Sequence, residues 1–158
     1  MKRLMQILSL LALAGLASIG CASSAAIRDA ERLTLYRNHS GEPVNGFQYY
    51  GRFSSWTPLG DSAVAIWVGP SRAWLLDLYG PCNDLDFAQA ISLTSNGGRV
   101  SARFDSVRVH QYGPPASIPC RIKEIRPLDV KALRAEQKAA RHGQKAKAVD
   151  GDAQPSGT

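Results

Sequence analysis

The chain has 158 residues with a formal net charge of +6, and three of its residues are cysteines. This length suits one domain, and we see no internal repeat. The charge is uneven, because residues 121–147 carry nine Lys and Arg against three acids, whereas residues 21–120 carry eight of each sign. The basic segment has no aromatic side chain on which bases could stack, which disfavours nucleic acid as a partner.

The first residues predict export from the cytoplasm. Lys2 and Arg3 precede an apolar run, and no further charge occurs until Arg28, a pattern typical of a signal peptide over residues 1–20. The unbroken apolar part, residues 7–19, is short for a hydrocarbon layer of about 30 Å. A retained membrane-spanning anchor is therefore the weaker alternative.

The tetrapeptide Ser18-Ile19-Gly20-Cys21 resembles a bacterial lipobox, although Ser18 stands where these sites usually have leucine. The resemblance implies that the Cys21 thiol carries a diacylglycerol and that two or three acyl chains anchor the protein stably. Because Ala22 rather than aspartate follows, it also implies an outer membrane lipoprotein that faces the periplasm. The alternative is a soluble periplasmic or secreted protein that is cleaved after Ala26.

The segment after the cysteine predicts a tether and a short helix within residues 21–42. Apolar residues recur there at helical spacing, at Ile27, Ala30, Leu33 and Tyr36. The polar run 38–41 ends with glycine and is expected to terminate this helix.

Two strands are predicted next. The alternation of Phe47, Tyr49 and Phe53 with polar residues indicates a half-buried strand over residues 47–54. Residues 62–68 are apolar on both sides of the alternation, which is typical of a central strand that is covered on both faces.

A third strand is predicted over residues 73–79, with Asp77 on its outward side. Asp84 follows at a position from which it could cap a short helix over residues 85–90. The next turn, Asn96-Gly97-Gly98, tolerates positive φ and predicts a hairpin between its two neighbouring strands.

The apolar residues after Asp105 have the opposite parity to those before it, so a bulge or bend is expected at residues 105–106. A last strand is predicted over residues 120–125. Asp129 is then positioned to cap a helix over residues 130–142.

Together these elements predict an α+β fold that is dominated by sheet. We expect five to six mostly antiparallel strands in a curled sheet or small barrel, with a short helix and a C-terminal helix. The single sheet-rich domain is predicted to occupy residues 43–142. Residues 143–158 have the polar composition of a disordered tail.

Cysteine parity agrees with export. Lipidation would modify the Cys21 thiol and cleavage would remove this residue, so Cys82 and Cys120 remain as a pair. A Cys82–Cys120 disulfide is therefore expected in an oxidising compartment. A closed loop of about 38 residues would stabilise the fold by roughly 3–4 kcal/mol. Because the chain has no C-x-x-C and no Cys/His cluster at ligand spacing, we expect neither a metal site nor a cofactor.

Several stretches, including RFSSWTPLGD, AWLLDLYGPC and PCRIKEIRPLDVKALR, resemble a family of small Gram-negative envelope lipoproteins known only as a domain of unknown function. The shared features are Trp56, the cysteines Cys82 and Cys120, and an Asp-Ser-Val that begins at Asp105. The resemblance covers residues 43–134. It implies an exported, lipoprotein-like domain and carries over no catalytic residue.

The best candidate binding residues are Arg103, Asp105 and His110 beside the expected bend, together with Trp56. Bulges often re-aim side chains at functional positions. The competing interpretation is that Asp105 bonds backbone groups in its own turn and that Trp56 belongs to the core. We identify no catalytic motif and no metal ligand set.

Two functions follow from these residues. The first is a non-enzymatic envelope module that is held at the membrane through Cys21. Its basic segment, residues 121–147, would bind an anionic envelope polymer or an envelope protein, although a merely solvated basic helix is the alternative. The second is a small hydrolase or transferase that uses Asp105 and His110, which requires the two side chains within about 3 Å, directly or through one water.

Overall fold

The computed structural model describes residues 20–110 and 119–151. The predicted signal peptide, the proline-containing loop near residue 114 and the last residues of the predicted tail lie outside this part of the chain. In chain order the elements are α1 (Gly20–Asn38), β1 (Gly46–Gln48), β2 (Ser55–Pro58), β3 (Ala63–Gly69), β4 (Arg72–Leu78), a 3₁₀ turn (Leu85–Phe87), β5 (Ala90–Leu93), β6 (Arg99–Ser101), β7 (Ser106–His110), β8 (Cys120–Pro127) and α2 (Val130–Gly151).

Six strands form one antiparallel sheet in the order β2-β3-β4-β8-β7-β5, which curls into a half-barrel. β1 and β6 form a separate two-stranded ribbon. The predicted α+β fold with a curled, mostly antiparallel sheet is therefore confirmed. No helix in the described part of the chain combines the length and apolarity that crossing a membrane requires.

Each face of the sheet buries its own cluster of apolar side chains. On the ribbon face, Val64 and Ile66 of β3 pack with Phe47 and Val100 of the ribbon. On the helix face, the alternate residues of β3 pack against the two helices, in a cluster that includes Ala63, Ala65, Leu75, Tyr36 and Leu133. The prediction that this strand is covered on both faces is confirmed.

The Cys82–Cys120 disulfide is present, with the two Cα atoms 5.5 Å apart. Cys82 is completely buried in the ribbon-face cluster. The bond holds the first residue of β8 against the loop that follows β4, and the predicted pairing is confirmed.

Asp77 does not lie on an outward side of β4, as the alternation indicated. It shares the helix face with Leu75, and its residue is only 9% exposed. The Arg37 guanidinium, near the end of α1, donates to Asp77 Oδ1 over 2.6 Å. Because a helix covers this face of the sheet, the Asp77 carboxylate is buried and needs a hydrogen-bond partner.

The predicted strand over residues 47–54 is mostly absent, because β1 ends at Gln48. Gly51 has φ of +75°, which is incompatible with an extended strand. The predicted alternation still holds for burial, since Phe47 and Tyr49 are buried and Phe53 is half-buried.

The glycine turn forms as predicted, but its hairpin does not. Asn96 and Arg99 exchange backbone hydrogen bonds of 3.0 and 3.1 Å across Gly97 and Gly98, whose φ angles are both positive. Beyond this turn the strands separate, because β5 pairs with β7 and β6 pairs with β1. The separation lets the apolar residues of β5 and β6 bury against different neighbours in the ribbon-face cluster.

The bulge or bend expected at residues 105–106 lies just before them, as a tight turn over residues 102–104 between β6 and β7. Asp84, in contrast, does not cap a helix through its side chain. Its φ of 65° is left-handed, whereas a capping residue needs extended backbone, and a single 3₁₀ turn follows.

The two helices differ from prediction mainly in length. In α1, Tyr36 is buried while Ile27 is 58% exposed, so only the end of the predicted apolar stripe packs. Asp129 caps α2 as expected, because the Ala132 N–H donates to its Oδ1 over 2.9 Å. α2 then continues to Gly151, through residues for which a disordered tail was predicted. The Ala and Lys residues of this stretch have high helix propensity.

Candidate functional site

Asp105 is occupied by its own turn. It is 8% exposed, and its Oδ1 accepts a hydrogen bond from the Thr94 hydroxyl over 2.8 Å. The Ser101 N–H donates to its Oδ2, also over 2.8 Å. Both carboxylate oxygens thus stabilise the β6–β7 turn and its neighbouring strand, as the competing interpretation proposed.

The structure does not bring Asp105 and His110 together. Burial alternates along this segment, so that Asp105, Val107 and Val109 are buried while His110 is exposed on the other side. Five positions of extended chain, at about 3.3 Å each, also separate the two residues. His110 Nε2 instead lies 2.8 Å from the Ser92 hydroxyl. The acid–base pair that the enzymatic hypothesis requires is absent from this geometry.

Trp56 lies at one end of a row of five aromatic rings. Trp74 stacks on Phe47 with a centroid distance of 5.0 Å, and Tyr49 follows Phe47 at 6.4 Å. Phe53 then contacts Tyr49, and Trp56 meets Phe53 edge-on at 6.1 Å. Trp56 is half-buried against the ribbon-face cluster, so its main contribution is to packing.

Arg103 has a left-handed backbone, with φ of 69°. This conformation costs a residue with a Cβ roughly 1–2 kcal/mol. Hydrogen bonds hold the turn there, because the Arg103 N–H donates to the Ile122 carbonyl over 2.8 Å and the Ala102 N–H donates to the Asn45 carbonyl over 3.0 Å. Strain that neighbouring structure maintains is often found at functional sites.

Two polar depressions lie on either side of β8, and Lys123 and Glu124 line both of them. We name the first, of about 370 Å³, the paired cleft; it also includes Arg37, Asp77 and Arg126. We name the second, of about 410 Å³, the arginine groove; its other lining residues include Asn45, Arg99, Arg103 and Phe104.

Every carboxylate in the paired cleft already has an arginine partner. Arg37 Nη2 lies 2.6 Å from Asp77 Oδ1, and Arg126 Nη2 lies 2.9 Å from Glu124 Oε2. These two pairs are neutral, so the cleft's excess charge is only that of Lys123, and its attraction for an anion is correspondingly small.

The arginine groove has a larger excess of positive charge, because Arg99 and Arg103 line it as well as Lys123. Arg99 donates to the Gly46 carbonyl over 3.1 Å, but neither Arg103 nor Lys123 forms an ion pair with any acid of the described residues. Glu124, the groove's one carboxylate, is already held by Arg126. The groove therefore carries an excess of positive charge.

Two pKa shifts occur elsewhere in the domain. Burial raises the pKa of Asp86 above its usual range, and the nearby Asp29 carboxylate raises that pKa further. Burial also raises the pKa of the Tyr49 phenol, within the aromatic row. Neither group lines the cleft or the groove, and no cluster of His, Cys, Asp or Glu within residues 20–110 and 119–151 could hold a metal ion.

α2 forms a second basic surface. Only the start of this helix packs against the core. Val130 and Leu133 are buried, and the Arg134 guanidinium lies 5.4 Å from the centroid of the Trp67 ring. Residues 138–144 are all exposed, including Lys138 and Arg141. At about 1.5 Å per residue, residues 134–144 extend roughly 16 Å beyond Leu133.

Sequence reasoning identified Arg103 but missed Arg99 and Lys123. No motif joins these cations, since they come from a ribbon strand, a turn and β8. The available signal was weak: Lys123 occupies an exposed position of its strand, and Arg99 directly follows the glycine turn.

A family model described as a family of unknown function (DUF6491) matches residues 1–144. The comparisons with curated proteins and with solved structures each found no match.

Proposed function

The chain belongs to this family of unknown function, and we propose that it is an exported envelope lipoprotein that binds anionic envelope material without catalysing a reaction. Its location would be the outer membrane, facing the periplasm. The observation that carries the binding role is the exposure of Lys138 and Arg141 on α2, past the last contact of this helix with the core.

The proposed anchor is Cys21, at the end of a lipobox-like sequence. Two or three acyl chains would suffice for stable attachment to a bilayer. The Cys82–Cys120 bond is consistent with this location, because disulfides persist mainly in oxidising compartments.

The proposed ligand class is a polymer or surface that carries phosphate or carboxylate groups. α2 has six Lys and Arg against two acids, and Lys145 and Lys147 extend the basic sequence beyond Arg141. Each Lys or Arg near an anionic surface contributes about 1 kcal/mol of attraction. A helix that extends from the domain can place several such charges on one ligand.

Co-sedimentation with insoluble peptidoglycan, and retention on immobilised lipopolysaccharide, would test this proposal. The test variant replaces Lys138, Arg141, Lys145 and Lys147 by Gln, and the control exchanges Lys for Arg and Arg for Lys at the same positions. We expect the neutral variant to bind at least about tenfold more weakly, and the control to bind normally. Equal binding of both variants would contradict the electrostatic role of α2.

The anchor requires a separate measurement, namely the intact mass of the protein purified from membranes. A mass that begins at Cys21 and includes two or three acyl chains is expected. A mass that begins at Ile27 without lipid would instead indicate a soluble exported protein, and the peptidoglycan experiment would remain meaningful.

A further inference from the structure

We infer that the arginine groove binds a phosphoryl group, carried either by a small soluble phosphate ester or by a lipid headgroup. This site is distinct from α2 and goes beyond the proposed function, because none of the groove residues belongs to that helix. The inference depends on the groove's charge, the rigidity of its wall and the chemistry of its lining.

The charge of the groove matches a dianion better than a single carboxylate. Arg99, Arg103 and Lys123 line one depression of about 410 Å³, where the only carboxylate is that of Glu124. Arg126 already neutralises that carboxylate at 2.9 Å. Like charges held in one concavity repel each other, and a phosphoryl group can accept hydrogen bonds from guanidinium and ammonium groups together.

The wall that carries Arg103 is held in place without a ligand. The Arg103 N–H donates to the Ile122 carbonyl, and the Ile122 N–H donates to the Asp105 carbonyl over 3.0 Å. The buried Asp105 carboxylate fixes the same turn through Thr94 and Ser101. Binding would therefore order little backbone, which reduces its entropic cost.

The backbone at Arg103 also argues for a role of its side chain. Glycine would adopt a φ of 69° without a Cβ conflict, yet this position carries arginine. The Arg103 side chain is exposed and has no ion-pair partner among residues 20–110 and 119–151. Neither packing nor a salt bridge thus accounts for a strained arginine here, whereas contact with an anion would.

The remaining lining restricts the kind of ester. Phe104 is 85% exposed beside the cations, and Val44 and Ala102 add apolar surface. Asn45 contributes an amide that can both donate and accept hydrogen bonds. The volume is within the usual range for small-molecule sites. A phosphate attached to a short polar or acyl-bearing backbone, such as glycerol, fits this combination.

The test uses the full-length chain in phosphatidylcholine nanodiscs, with backbone amide signals of residues 101–104 and 123 followed by NMR. One arm titrates inorganic phosphate and glycerol phosphate, and the other replaces part of the nanodisc lipid with phosphatidic acid, whose terminal phosphate monoester can carry two negative charges. The variants are Arg103→Gly, which suits the left-handed backbone, and Lys123→Gln. The control is Arg72→Gln, which removes an exposed cation at the far end of β4.

We expect saturable shifts of the groove signals, and a loss of affinity of at least about tenfold in Arg103→Gly and Lys123→Gln but not in Arg72→Gln. Shifts with glycerol phosphate identify a soluble ester, whereas shifts only with phosphatidic acid identify a lipid headgroup. The inference would be overturned if the groove signals do not shift in either arm, or if Arg103→Gly binds with the same affinity as the unmodified chain. If the α2 variant loses peptidoglycan binding while the amide signals of the groove do not shift with either ligand, the proposed function stands and this site is rejected.

Discussion

The paired cleft and the arginine groove share Lys123 and Glu124, but they differ in where their carboxylates are used. In the paired cleft, Asp77 faces the depression and neutralises Arg37. Beside the groove, Asp105 is only two positions from Arg103, yet its Oδ1 accepts from the Thr94 hydroxyl and its Oδ2 accepts from the Ser101 N–H. A local excess of charge therefore depends on the hydrogen bonds that the acids form, and not only on how many acids are nearby.

The largest effect is expected from removing the disulfide, because it anchors the start of the strand between the two depressions. Replacing Cys82 and Cys120 by Ala should lower the free energy of unfolding by about 3–4 kcal/mol, given the sequence separation of 38 residues. Urea denaturation would measure the loss, and amide exchange should accelerate in both depressions. An unchanged midpoint on reduction of the unmodified protein would contradict this prediction.

A somewhat smaller loss of stability is expected when the Asp105 carboxylate, which holds the turn beside the groove, is removed. Asp105→Ala leaves the partly buried Ser101 N–H and Thr94 hydroxyl without their acceptor, which should cost about 2–3 kcal/mol. Urea denaturation against Asp61→Ala, the loss of an exposed carboxylate, provides the comparison. If both variants unfold at the same urea concentration, Asp105 does not stabilise the turn.

In the paired cleft, replacement of the two arginines should reduce stability by different amounts. Arg37→Ala leaves the Asp77 side chain, which is 12% exposed, without its partner and should cost about 1–2 kcal/mol. Arg126→Ala leaves Glu124, which is 34% exposed and better hydrated, and should cost about 0.5 kcal/mol. Thermal denaturation of the two variants side by side tests the order. A larger loss for Arg126→Ala would show that burial does not set these contributions.

The smallest effect on stability is expected for Arg103→Gly. Relief of the left-handed strain favours the folded state by roughly 1–2 kcal/mol, but the flexible unfolded glycine offsets about 0.5–1 kcal/mol of this gain. The net expectation is a stabilisation of about 0.5 kcal/mol, measured by urea denaturation, together with weaker binding in the groove. A clear destabilisation would mean that the Arg103 side chain supports the fold itself, which would remove the argument from strain.

Local patterns in the sequence predicted the elements whose causes are local. The continuous apolar run of residues 62–68, the glycine turn at residues 96–98 and the cap at Asp129 are each read from neighbouring residues, and the structure contains the strand, the turn and the cap. The cysteine count, together with the predicted export, likewise predicted the disulfide.

Partners distant in the chain decided the rest. β5 and β6 pair with β7 and β1 rather than with each other, and the burial of Asp77 depended on α1 covering its side of the sheet. The sequence by itself thus determined the fold class, the disulfide and most turns, because side-chain alternation and backbone preference act within a few residues. Only the tertiary structure decided that Arg99, Arg103 and Lys123 line one groove. These residues meet because β8 lies beside the β6–β7 turn, which the Asp105 carboxylate stabilises.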